Sequence, residues 1–374
     1  MVKGAYPIIF LLTLCFFLSG CSSFQTHETE NAMNREIHIH EKRIPSGHFM
    51  GDLPIIPIDL DGEFFHSVGD WYNETSILYI VNGSNHTGSD LYRYHLFTGE
   101  KELFYESSHP IITIESSENG NYFAVHSSSS INEANIVILD KKGNEQVNWN
   151  VESTELQYVW NPFNEKKLFI TSFKEDWSFQ NYLMDISNQK VDEIQLNQPF
   201  IQWLSGSEVL YLQWDQEVRE HSAPLYSYHL EKQTEELVAE GILGFHTYHS
   251  LLMTISPQSD KSSYQFIDTV TQQHLQSFKL PTIETYSDRW WIPNYDYNKN
   301  IKSLLLYKPV IKDNQLKTLQ LIKYSMQSGE EQLILDGVDD RPIHLSPDGE
   351  LSLVGYQYED ILDLKTNELK SLIK

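Results

Sequence analysis

"PIHLSPDGELSLVGYQYEDILDLKTNELKSLIK", residues 342–374, holds the pattern that decides the fold. Short apolar or alternating runs at 342–345, 351–356, 360–364 and 368–373 are cut by polar turns. Ser346-Pro347-Asp348-Gly349 has the composition of a type I turn, with Pro at its second position and Gly at its fourth. Thr366-Asn367-Glu368 is a second turn, and Asn tolerates the positive φ that tight hairpins need. The stretch therefore reads as four short antiparallel strands. One such sheet has two faces to bury and cannot bury both alone.

The same unit recurs upstream. "VGDWYNETSILYIV" (68–81), "QYVWNPFNEKKLFITSF" (157–173), "FIQWLSGSEVLYLQW" (200–214) and "RWWIPNYDYNKNIKSLLLY" (289–307) each place a large apolar residue before a polar turn and a strand. Their markers are Trp71, Trp160, Trp203 and Trp291, with Leu345 in the last unit. Phe245 in "LGFHTYHSLLMTI" and Ile114 in "IITIESSENGNYFAV" fill the remaining slots. Trp71 to Trp160 is 89 residues, or two steps; the later steps are 43, 42, 46 and 54 residues. The excess in the last is assigned to a loop at 308–318. A second series of turns, at 98–100, 142–144, 188–190, 232–234, 271–273, 328–330 and 366–368, also counts seven units. Four strands per 40–45 residues, repeated, is the signature of a β-propeller, in which each sheet buries both faces against its neighbours. The fold class is all-β. The tryptophans at 71, 160, 203 and 291 are expected in the core between blades.

The N-terminus carries a different signal. Lys3 precedes an apolar run at 7–18, too short to span a bilayer, where about 20 residues are needed. It ends in Leu18-Ser19-Gly20-Cys21, which resembles the lipobox of bacterial lipoproteins. Leu18, Ser19 and Gly20 would be read by the signal peptidase, and the Cys21 thiol would carry a diacylglycerol. Two acyl chains anchor stably where one does not. The only other cysteine, Cys15, lies in the leader, so the mature chain has no disulfide and no thiol chemistry. The organisation read from sequence is a signal peptide at 1–20, a lipidated N-terminus and polar tether at 21–59, and a propeller at 60–374. The expected location is the extracytoplasmic face of the cell membrane, with the lipid bilayer as the first partner.

The Trp-x-Pro turns at 160–162 and 291–293 and the Ser-Pro-Asp-Gly turn resemble the repeats of TolB and dipeptidyl-peptidase propellers. The WD40 pairs are missing. A lipobox followed by one such propeller is similar to the YqgU-like propeller lipoproteins of Gram-positive spore-forming bacteria. That resemblance implies a fold and an address. The family is described as six-bladed, whereas both marker series here count seven, so seven is the expectation and six the alternative.

Charge limits the partners. There are 27 basic and 52 acidic residues, a net charge of −25. Nucleic-acid binding needs a basic field and is excluded. No nucleophile elbow, zinc-protease helix, phosphate loop or dinucleotide fingerprint is present, and no cofactor is expected. Asn294, Asp296, Asn298 and Asn300 alternate like the start of a calcium loop, but Leu305 stands where a bidentate Glu is required, so no metal is expected. The richest surface candidate is "YSDRWWIPNYDY" (286–297), whose Asp288, Arg289, Trp290, Tyr295 and Tyr297 suit recognition of a protein or an envelope polysaccharide. Neighbouring strand residues face opposite sides, so with Trp291 in the core Trp290 is the outward one. The sequence thus favours a binding or scaffolding module for a cell-envelope partner. The alternative is a propeller enzyme of lyase, glycosidase or lactonase type with acids or histidines at the central funnel. Cys21→Ala is expected to leave the protein unprocessed and to abolish its acylation, read by cell fractionation and gel mobility; wild-type behaviour of the variant would refute the lipobox.

Overall fold

The structure is a computed structural model that describes residues 54–83, 87–214, 222–283, 290–313 and 315–374. Among these there is no helix, and 28 strands form seven four-stranded antiparallel sheets, each built from four consecutive strands. We number the blades in chain order: 64–107, 111–152, 155–194, 202–242, 244–281, 295–338 and 343–371. The strands of the last, Ile343–Leu345, Leu351–Val354, Asp360–Asp363 and Glu368–Ser371, lie within the four runs of its sequence.

Register gives the repeat its physical meaning. Trp71, Trp160, Trp203 and Leu345 share one position on the innermost strand, each opposite the second residue of the neighbouring strand. All four are buried. Their mates in the other blades are Ser116, Thr247 and Tyr297. Ile114 and Phe245 are therefore two residues early. That is one full strand period, so they share the face and kept the pattern readable.

Trp291 is a larger correction. It lies four residues before the innermost strand Tyr295–Asn298 and is half-buried instead of in the core. Its indole donates to Asp340 Oδ2 at 2.9 Å. With Tyr297 as the marker, the last interval shortens and needs no loop at 308–318, where the strands Ser303–Lys312 and Gln315–Ser325 are simply long.

The second marker series falls on the turns between the third and fourth strands. One residue of each turn has positive φ: Gly99, Gly143, Gln189, Gln233, Gln272, Gly329 and Asn367. Three glutamines thus adopt a conformation that usually favours Gly or Asn. The last residue of the third strand steadies these turns. Asp140, Asp268 and Asp363 accept backbone N–H groups through Oδ1, and His95 does so through Nδ1.

Among the described residues no sheet contains strands from both ends of the chain, so the ring closes between blades 7 and 1 without strand exchange. Packing closes it instead. Trp71, Ile77 and Tyr79 of blade 1 share a core with Leu351, Leu353 and Ile361 of blade 7. Residues 54–59, on the tether side of the expected boundary, belong to this seam. Ile58 is fully buried in that core and pairs with Ile373 in a parallel bridge. Its N–H donates to Leu372 O at 2.6 Å, and Ile56 N donates to Leu96 O at 2.8 Å. Deleting residues 343–374 should therefore remove the cooperative thermal transition of the whole domain, because two blade faces lose their cover. A truncated protein that melts near the full-length temperature would show that closure is dispensable.

Candidate functional site

The seven innermost strands present edges to the axis, where backbone N–H and C=O groups have no ladder partner. Side chains of adjoining blades satisfy them. Asp70 Oδ2 accepts from Ser116 N at 2.5 Å, Gln202 Oε1 from Thr247 N at 2.7 Å, and Asp296 Oδ2 from Leu345 N at 2.7 Å. In the other direction, the indoles of Trp71, Trp160 and Trp203 donate to His344 O, Glu115 O and Val159 O at 3.1–3.2 Å. Joints 7–1, 1–2, 2–3, 3–4, 4–5 and 6–7 are each linked in one of these ways. The joint between blades 5 and 6 carries ring contacts, His246 on Tyr295 at 5.8 Å and Tyr248 on Tyr297 at 5.0 Å.

Alternation explains the geometry. The marker residue points to the preceding blade, so the residue before it points to the following one. In chain order those preceding residues are Asp70, Glu115, Val159, Gln202, His246, Asp296 and His344. They ring a cavity of about 1160 Å³, and charged or polar groups hold six of the seven places.

Three of them form one bridge across blades 6, 7 and 1. His344 Nε2 lies 2.8 Å from Asp70 Oδ1, and His344 Nδ1 lies 3.3 Å from Asp296 Oδ2. With a carboxylate at each nitrogen the ring is an imidazolium donating twice. Burial would lower its pKa, but Asp70 and Asp296 outweigh burial and hold it well above the ordinary value. Burial would likewise raise Asp70; His344 and the Ser116 N–H overcome that and keep it low. Trp71 N donates to Asp70 Oδ1 at 2.6 Å, and Tyr297 N to Asp296 Oδ1 at 2.8 Å, so both aspartates are fully engaged.

Glu115 differs. Its carboxyl accepts no hydrogen bond among the described residues, yet it faces the cavity beside the charged bridge. The side chain is exposed to the cavity; desolvation within the funnel and the Asp70 charge raise it to about 7, with His344 partly offsetting them. His246 is pushed down to about 4 by burial, so it is neutral at pH 7. Tyr158 donates to or accepts from Thr113 at 2.9 Å, and burial with the nearby Glu115 keeps its phenol protonated. Tyr358 reaches the same space from a loop of blade 7, in a left-handed conformation at φ 53°. At the mouth, Lys299 of blade 6 pairs with Glu118 of blade 2, and Phe163 of blade 3 meets His249 of blade 5 at 4.5 Å.

The candidates read from sequence fall elsewhere for the most part. Leu18, Ser19, Gly20, Cys21, Asp288 and Arg289 lie outside the described residues. Trp290 is half-buried and does not line the cavity. Tyr295 packs into the core between blades 5 and 6, whereas Tyr297 is on the cavity wall. The alternating Asn294, Asn298 and Asn300 spend their amides on Asp340, Ser346 O and Pro347 O, so they form no oxygen cage. No group of three His, Cys, Asp or Glu is placed to hold a metal among the described residues. Sequence reasoning missed Asp70, Glu115, His246 and His344, and met Asp296 only in the calcium-like alternation it set aside. The signal was present: each precedes a marker residue, but the markers of blades 2, 5 and 6 were set two or six residues early.

The match to the family described as "YqgU-like 6-bladed beta propeller domain" spans residues 95–355, where this chain has seven sheets in all. The lipoprotein YqgU of Bacillus subtilis (strain 168) is 26% identical over 377 residues, covering 100% of this chain and 98% of its own. The crystal structure of protein lmo1340 from Listeria monocytogenes EGD-e superposes with a TM-score of 0.77 at 21% identity, over 86% of this chain and 98% of that one. The β-propeller domain of the Trilobed protease from Pyrococcus furiosus, described as having an open velcro topology, gives a TM-score of 0.53 at 12% identity, over 83% and 98%.

The bridge sets a pH dependence. The imidazolium's contribution to stability is complete below the unfolded value of about 6.5 and is lost as pH rises through its higher folded value. His344→Gln should lower the melting temperature most near pH 6.5, and the gap to wild type should narrow toward pH 10. His344 is 36% exposed to cavity water, which screens the pair and puts the loss below the roughly 3–5 kcal/mol of a fully buried one. A gap independent of pH would mean that His344 acts by packing alone.

Proposed function

The chain belongs to the YqgU-like β-propeller family, and we propose that it is a lipid-anchored extracytoplasmic receptor whose ligand enters the axial funnel. The full-length relative's designation as a lipoprotein supports a diacylglycerol on Cys21, as the lipobox does. The observation that carries the binding role is the convergence of Asp70, Glu115, Asp296 and His344 on one open cavity. Asp70, Asp296 and His344 hold one another and the blade edges in place. They make a rigid polar wall rather than a reacting group, and preorganised polar walls bind. The loop with Asp288, Arg289 and Trp290 is a second contact surface in this reading, suited to an envelope protein or polysaccharide.

One observation favours catalysis as a second reading. A carboxyl raised to about 7, as Glu115 is, can both give and take a proton near neutral pH. That would suit a lyase, glycosidase or lactonase with Glu115 as its general acid or base.

The experiment is a thermal-shift and calorimetric screen of soluble envelope oligosaccharides and peptides against residues 54–374, with product analysis in parallel. The binding reading expects a ligand that stabilises the protein, is recovered unchanged, and is lost on Tyr158→Ala. Turnover abolished by Glu115→Gln would replace receptor with enzyme. Ligands that bind equally well to the Tyr158 and Glu115 variants would move the site out of the funnel.

A further inference from the structure

The funnel reading leaves the chemistry of the ligand open, and the wall residues narrow it. The cavity lining carries five acids, Asp70, Glu74, Glu115, Glu118 and Asp296, against Lys141, Lys299 and the His344 imidazolium, so acids outnumber cations. At the mouth, Lys299 is already tied to Glu118. Asp70 and Asp296 have their oxygens committed to backbone N–H groups and to His344. Among the described residues the Glu115 and Glu74 carboxyls of the lining accept no hydrogen bond, and of the two Glu115 adjoins the bridge; the Tyr158 hydroxyl is bonded to Thr113, two residues from Glu115 on the same strand face. Tyr158 is on the next blade, and Tyr358, which feels the charges of Glu115, Asp70 and Asp296, is carried in on a left-handed loop residue. On the blade-5 side of the funnel, Tyr248 packs against His246 and Tyr297, and its buried hydroxyl has no hydrogen-bond partner.

An unpaired acid in a net-negative cavity lined by tyrosine rings is suited to an organic cation. The carboxylate supplies charge and hydrogen-bond acceptance, and the ring faces attract the alkylammonium carbon shell. A hard divalent ion fits less well, since it demands several free oxygens at once. An anionic ligand would meet more acids than cations.

Resting on the funnel as the binding site, we infer that its ligand carries an organic ammonium group, seated against Glu115 between Tyr158 and Tyr358. Neutral or acidic portions of the same ligand would extend toward the mouth.

The test uses a matched pair, 1,4-diaminobutane and 1,4-butanediol, which differ in charge and little in shape. Each is titrated into the full-length protein in detergent micelles while tyrosine ring resonances are followed by NMR. The diamine should shift Tyr158 and Tyr358, with the diol weaker by about tenfold or more. Glu115→Gln should weaken the diamine by a similar factor, while its unchanged melting curve shows that the fold is intact. Equal binding of both compounds, indifference to Glu115→Gln, or no shift with either would overturn the inference. So would calcium chloride shifting the same resonances at lower concentration than the diamine. The outcomes separate the two layers of the argument: if the diamine fails while a neutral oligosaccharide still binds in a Tyr158-dependent manner, the funnel stands and its cationic ligand falls.

Discussion

Everything in this molecule depends on closing a ring whose last joint has no covalent help. Six blade-to-blade joints are held by the chain running from one sheet to the next. The seventh, between blades 7 and 1, has neither a connecting segment nor a shared strand. Its burden falls on the apolar core around Trp71, Leu353 and Ile58, on the segment 54–60 laid along the C-terminus, and on His344 against Asp70. An open ring would expose two blade faces, so the stability of each sheet depends on a contact made nearly three hundred residues away along the chain.

The site and the seam coincide. His344 comes from the last blade, Asp70 from the first and Asp296 from the sixth. The bridge that completes the ring is therefore also the polar wall of the cavity. This coupling constrains what the wall can do. Carboxylates that accept two backbone N–H groups and an imidazolium are fixed in place and in charge, which suits recognition and leaves little freedom for proton transfer. Glu115 escapes that constraint because Trp160 uses only its backbone carbonyl and leaves its carboxyl unclaimed. The free acid beside the bridge thus follows from how the edge of blade 2 is satisfied.

Much of this was legible in the sequence. The turns carry local chemistry, such as Gly at 99, 143 and 329 and Ser-Pro-Asp-Gly at 346–349, and these signal hairpins with no knowledge of the fold. Trp71, Trp160 and Trp203 were legible because a large side chain between blades leaves a periodic mark. The register of blades 2, 5 and 6 was not, since Ser116, Thr247 and Tyr297 leave weaker marks and Trp291 offers a false one. The site needed that register. Asp70 and His344 are 274 residues apart, and only ring closure makes them neighbours, so no local pattern could pair them. The glutamines at 189, 233 and 272 show the same limit on a smaller scale: the repeat forces positive φ on residues whose own preference lies elsewhere.

The claim on which the account turns is that a charged His344, held between Asp70 and Asp296, closes the ring and lines the funnel. Ring-nitrogen NMR of His344 across pH 5 to 10 tests it directly. The account predicts that both nitrogens carry protons at pH 7 and that the ring titrates well above 6.5, with Asp70→Asn bringing that value down. A His344 that is neutral at pH 7, titrating at or below 6.5 and unmoved by Asp70→Asn, would contradict it.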